Sequence, residues 1–335
     1  MDKYQLVVFG DQWDVYQVSY RELIDNPHVI CIPTCRPNGL LGVIQRFQFN
    51  PRLNRLINIP CKSMWNPYYL RNLQGEKVCF LIMEYWLRLE SGIHLFPFLR
   101  AHYPQAKIVC FTQDMMDTIK DHYTLRPFDV QYVKQYVDLF VSYDTNDAKT
   151  YQVDYHPTVF SPLEKTLGTE RKLYDLYFLG RDKGRLKILL SICQEAKTRG
   201  LKCHFVMLEI PAEDRVECEG IVYADAPIPY EENLRLCTQS KCVIELLQQN
   251  ASGPTYRTWE AISLNVKLLT NNQSIKTSQI YDPRYISVFQ NTDDLDWSFV
   301  ESEPAFTQQN PFQEKIRPES LVRFIEEKLQ IQINR

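Results

Sequence analysis

Short apolar runs separated by amphipathic stretches recur along the whole chain, and that alternation predicts strand–helix–strand units built around parallel sheets. YQLVVFG, HVICIP, KVCFLIMEYW, AKIVCFTQD and DLFVSYD fall in the first half; YDLYFLG, KCHFVMLEI, GIVYA, KCVIELLQ, VKLLTNN and YISVFQ fall in the second. Most are continuous rather than alternating, as strands buried on both faces of a parallel sheet must be. Between residues 145 and 174 the rhythm fails, in a polar stretch with two prolines and no clear sheet strand. It restarts at YDLYFLGRDKGRLKILLSICQEAKTRG with a strand, a glycine turn and a helix. Near the end, RPESLVRFIEEKLQ sets Leu321, Val322, Phe324, Ile325 and Leu329 at helical spacing. The expected fold class is α/β, with two doubly wound parallel-sheet domains at 1–150 and 173–310. A linker at 151–172 joins them, and a helix at 311–335 ends the chain. The 335 residues exceed what one core usually encloses, which agrees with two domains.

Composition narrows the function classes. Hydrophobic residues at 44% and charged residues at 24% describe a folded globular chain, and a net charge of -3 argues against a nucleic-acid binder held by phosphate contacts. The ten cysteines are scattered through predicted strands and helices with no CxxC pair, which reads as buried thiols of a reducing cytoplasm. The opening MDKYQLVVFGDQWDVY is a first strand rather than a signal peptide. No apolar run approaches the roughly 20 residues that a spanning helix needs.

Two predicted strand ends carry chemistry, because ligands of open parallel sheets bind beyond the carboxyl ends of the strands. The first is FLGRDKGRLK, where Gly180 ends a strand and Gly184 lets the backbone turn. Arg181, Lys183, Arg185 and Lys187 crowd positive charge at a helix start, where the macrodipole disfavours it unless an anion is present. A diphosphate fits, and so does a solvated basic turn with Asp182 as partner. The second is SGPTYRTWEAISLNVKLLTNN, which follows the apolar run CVIELLQQ and its single interior charge, Glu245. Ser252 or Gly253 can cap the helix and Pro254 suits its first position. Arg257 and Glu260, three apart, share one face.

FLGRDKGRL and SGPTYRTWEAISLNVKLLTNN resemble the C-terminal domain of GT-B glycosyltransferases, especially small bacterial enzymes of capsule and lipopolysaccharide synthesis. LFVSYDTNDAKTYQVDYHPTVFS resembles the end of the N-terminal domain and the linker of that group. The resemblance implies two Rossmann-like domains facing a cleft, with a nucleoside-diphosphate sugar as donor substrate and no other cofactor. It implies Glu260 on the ribose hydroxyls, Arg181 and Lys183 on the diphosphate, and Gly180, Ser252, Gly253, Thr255 and Arg257 lining the donor site. Many retaining members carry a second glutamate eight residues before the ribose-binding one; Ser252 stands there in this chain, so the stereochemistry stays open.

The first domain is expected to bind a glycan or glycolipid acceptor. Candidate catalytic groups on loops after its strands are Asp11, Glu84 and Asp114, with His94 added because histidine titrates near neutral pH. No His/Cys/Asp ligand set and no DxD pattern stands out, so no metal is expected. Ile44 to Ile57, with Arg46, Arg52 and Arg55 among apolar residues, reads either as a peripheral contact with the inner membrane face or as an amphipathic helix broken by Pro51.

Overall fold

The computed structural model describes residues 3–11, 13–32, 38–57, 59–66, 70, 73, 77–88, 90–121, 129–163, 171–247, 253–302 and 312–334. In chain order its strands are β1 (Lys3–Phe9), β2 (Val29–Ile32), β3 (Val78–Met83), β4 (Lys107–Thr112), β5 (Leu139–Ser142) and β6 (Asp154–Tyr155). There follow β7 (Tyr174–Arg181), β8 (Cys203–Leu208), β9 (Ile221–Ala224), β10 (Ser240–Glu245), β11 (Lys267–Thr270), β12 (Ile286–Val288) and β13 (Gln332–Ile333). The chain divides into two compact units, Met1–Pro157 with Pro318–Arg335, and Thr158–Arg317.

The first unit is a parallel sheet in the order β13-β1-β3-β4-β5-β6, with β2 also paired to β1. Every residue of β3 is buried, which explains its unbroken apolar run VCFLIM. Strand order reverses between β2-β1 and β3-β4-β5, so a crevice opens beyond the ends of β1 and β3. Asp154–Tyr155, inside the stretch that reads as strandless, forms a two-residue edge strand on β5. The terminal helix Pro318–Leu329 buries Leu321, Val322 and Ile325, each contributing about 1.5–3 kcal/mol. Proline opens that helix, where its missing N–H costs nothing. Beyond it, β13 returns to β1 with Lys3 opposite Gln332.

The second unit is a parallel sheet ordered β12-β11-β10-β7-β8-β9. Renumbered from β7, this is the 3-2-1-4-5-6 order of a doubly wound dinucleotide-type sheet, with its switch point between β7 and β10. Leu176, Phe178, Phe205, Met207, Ile244 and Leu269 from four strands of the sheet pack with Leu189 and Ile192 of the helix Leu186–Thr198. The order of the strands thus places two chain segments at the crevice: the turn after β7 and the segment after β10.

Candidate functional site

The turn after β7 is shaped by its backbone. Lys183 at φ 42° and Gly184 at φ 82° are both left-handed, the conformation that glycine adopts freely and lysine at a cost. Asp182 accepts from Leu186 N at 2.8 Å, which satisfies an orphan amide of the helix Leu186–Thr198. At Gly180 a Cβ would come 3.0 Å from the Phe178 ring, which would have to give way, while its 3.5 Å approach to Arg185 Nη1 would be an ordinary contact. Arg185 is half-buried, and burial lowers its pKa although Glu245 and Asp182 act the other way. Arg181 leans over the end of β8, with Nη2 2.8 Å from Glu209 Oε1 and both side chains mostly exposed.

Glu245, the last residue of β10, is the hub of the second segment. It is 2% exposed. Its Oε1 accepts from Thr255 N at 3.1 Å, Thr255 Oγ1 at 2.5 Å and Thr258 Oγ1 at 2.7 Å, and its Oε2 accepts from Thr270 Oγ1 at 2.6 Å. One carboxylate therefore ties the helix Tyr256–Leu264 to β10 and β11. Thr255 caps that helix by accepting from Arg257 N at 3.2 Å. Gly253 and Pro254 are buried at the approach to it; Ser252 lies outside the described residues. The lone charge in CVIELLQQ was the sequence signal for this hub, but its three hydroxyl partners lie 10, 13 and 25 residues further on.

Arg257 and Glu260 turn inward together. Arg257 Nη1 lies 2.6 Å from Glu260 Oε2, 3.2 Å from Asn233 Oδ1 and 3.0 Å from Cys237 Sγ. Burial works against the Arg257 charge, but Glu260 beside it more than offsets this and holds its pKa above the usual value. Glu260 is 3% exposed, and its Oε1 accepts from Tyr230 Oη at 2.8 Å and Asn233 Nδ2 at 3.1 Å. These bonds clamp the helix Tyr256–Leu264 onto the helix Tyr230–Thr238. A ribose reaching Glu260 would have to displace Tyr230 or Asn233.

In the first unit, three candidate groups share one sheet edge. Asp11, Glu84 and Asp114 follow the adjacent strands β1, β3 and β4 at their carboxyl ends. Asp11 is buried, and its Oδ1 accepts from Trp13 N at 3.4 Å. Glu84 is half-buried and accepts from Gln113 N at 3.2 Å. Burial pushes its carboxyl up to about 7, with Asp114 adding to the rise and Arg88 opposing it. Asp114 pairs with Arg88 at 2.5 Å and accepts from Met115 N at 2.9 Å. Trp86 is fully buried and donates to Gly10 O at 2.9 Å, which locks the ends of β1 and β3 together. His94 lies instead in the helix Glu90–His102, where its carbonyl accepts from Asn66 Nδ2 at 3.0 Å. Sequence reasoning missed Arg88 and Gln113, which act on the candidates from one helical turn and one residue away. Among the described residues, no three His, Cys, Asp or Glu side chains are grouped to hold a metal ion.

No protein-family model and no curated protein matches the chain. Solved structures match over nearly its whole length. An alpha-glucosyltransferase in complex with UDP and a 13-mer DNA containing a HMU base is 11% identical, with 98% of this chain and 100% of that chain covered and a TM-score of 0.59. The N-terminal domain of Candida albicans trehalose-6-phosphate phosphatase is 9% identical, with coverage of 98% and 97% and a TM-score of 0.55. MnaA of S. aureus in a co-structure with UDP is 12% identical, with 98% of each chain covered and a TM-score of 0.51. The two parallel-sheet units therefore carry the GT-B fold shared by glycosyltransferases and related enzymes.

Proposed function

We propose that this chain is a metal-independent glycosyltransferase that moves a sugar from a nucleoside-diphosphate donor to a glycan or glycolipid acceptor in bacterial surface polysaccharide synthesis. The observation that carries the reading is the switch point of the second sheet. There a left-handed turn beside Gly180 sets Arg181, Lys183 and Arg185 within five residues, the charge that a leaving diphosphate requires. Gly253, Thr255, Arg257 and Glu260 shape and brace the facing helix start. Glu84 supports the second half of the chemistry. In the transfer the acceptor hydroxyl attacks the anomeric carbon, the bond to the diphosphate breaks, and the hydroxyl proton passes to a general base, a role for which Glu84 is the first unit's candidate. A carboxyl near 7 is well matched to that task, because a base is most effective when its pKa lies near the working pH.

The engaged state of Glu260 favours one second reading, a nucleotide-sugar binder that does not turn over. Two measurements separate the readings. Thermal melts of the wild type with UDP, GDP, CDP, ADP and CMP should show one nucleotide raising the melting temperature. At 100 times its dissociation constant that ligand contributes about 2.7 kcal/mol. The shift should shrink in Arg181→Ala and Lys183→Ala. Release of free nucleoside diphosphate from the matching sugar donor then marks a transferase, and binding without release marks the binder. A cooperatively melting protein that responds to no nucleotide refutes both.

A further inference from the structure

The helices Gly39–Gln48 and Pro51–Leu56 are built inside out. An ordinary surface helix turns its apolar stripe to the core. In the first of this pair the buried positions are Gly42, Gln45 and Gln48. Leu40, Leu41, Val43, Ile44 and Phe47, the i, i+1, i+3, i+4, i+7 face, point outward, with Leu40 76% and Phe47 60% exposed. The second helix repeats the inversion: Asn54 is buried, while Leu56 is 84% exposed and Ile57 after it 72%.

The inversion is held by hydrogen bonds. Gln48 donates to Pro60 O at 2.6 Å and accepts from Trp65 Nε1 at 2.8 Å. Asn54 donates to Gln48 O at 2.8 Å and accepts from Ile59 N at 3.0 Å. Rolling the pair over to hide its leucines would strand these buried polar groups. The patch is also concentrated: eight of the fourteen exposed large hydrophobic side chains among the described residues fall between Leu40 and Ile57. Scattered exposed apolar residues need no explanation, but a contiguous set marks an interaction surface.

Charge identifies the occupant. From Asn26 to Gly75 the sequence holds six lysines and arginines and not one acid, in a chain whose 41 acids outnumber its 38 bases. Arg46 and Arg52 are exposed alongside the apolar face. No helix among the described residues is long and apolar enough to cross a membrane. The exposed apolar face and its flanking arginines suit this surface to lying on a bilayer, with apolar side chains at the acyl boundary and arginines among acidic headgroups. We propose that the helix pair Gly39–Leu56 docks the first unit onto an anionic lipid surface. The proposal stands on this patch alone and is independent of the sugar-transfer reading.

The test is flotation of the full chain with phosphatidylcholine vesicles, with and without phosphatidylglycerol. Binding is expected to the anionic vesicles, to weaken with added salt, and to fall about fivefold in each of Arg46→Ser and Arg52→Ser. The double variant Leu40→Ser/Phe47→Ser should abolish it while melting at the wild-type temperature, since both positions are exposed. Failure of the folded wild type to float overturns the proposal, and so does equal flotation of the double variant. Light scattering supplies a third overturning result: a wild-type dimer that Phe47→Ser splits into monomers, which would assign the face to a second copy of the chain.

Discussion

Glu84 and Glu245 occupy equivalent places in two different sheets, and the protein treats them in opposite ways. Each stands at the carboxyl end of a parallel strand next to a switch point, β3 in one unit and β10 in the other. Glu245 receives four hydrogen bonds, three of them from threonine hydroxyls, and is sealed from solvent. Glu84 accepts from the Gln113 amide at 3.2 Å and from its own backbone amide, and sits beside an arginine already paired with Asp114. A saturated carboxylate is a fastener. One that is half-buried and held by backbone amides alone, with desolvation outweighing them, holds its proton into the neutral range, where it can exchange it.

The largest expected effect separates the two by activity. Glu84→Gln should lower kcat on the order of 10²–10⁴-fold while leaving nucleotide binding intact, as loss of a general base does. In the wild type the rate should climb as pH rises through about 7, because the working form is the deprotonated one; a rate flat from pH 5 to 9 would remove Glu84 from the chemistry. Stability gives the mirror image. Glu245→Gln should cost roughly 3 kcal/mol in urea unfolding, since it weakens the charged acceptor of three hydroxyls, two of them fully buried. Glu84→Gln should not destabilise at pH 8, and should gain on the wild type there relative to pH 4. The native carboxyl titrates near 7 and the unfolded one near 4.5, so the wild type loses stability as pH rises between them. The smallest effect is expected at Glu209→Ala, which removes the exposed partner of Arg181 and should change stability by less than about 0.5 kcal/mol. A larger loss would show that this pair fastens the β7 and β8 ends as Glu245 fastens β10.

The parallel strands were legible because both faces of such a strand are apolar, and VCFLIM or CVIE can be little else. The terminal helix was legible by its spacing. The edge strands β6 and β13 were not, because two residues carry no period. The turn after β7 could be placed from Gly180, Gly184 and the basic residues around them. The direction in which Arg257 and Glu260 point could not, since spacing of three puts two residues on one helix face without saying what that face meets. Tyr230 and Asn233, which decide it, lie about 30 residues upstream. The same ambiguity applies to Ile44 to Ile57: periodicity reveals an amphipathic segment, while the long-range bonds of Gln48 and Asn54 determine which side is hidden.

The pairing of β13 with β1 has a consequence for the order of events on the ribosome. A first domain usually completes before the next is made, because synthesis runs from the N-terminus. Here the strand and helix that finish the first unit are translated after all of Thr158–Arg317. The second unit has every segment it needs before the first does, so the nascent chain must carry an unfinished sheet, with part of the β1 edge still open, for the time taken to make Thr158–Arg317.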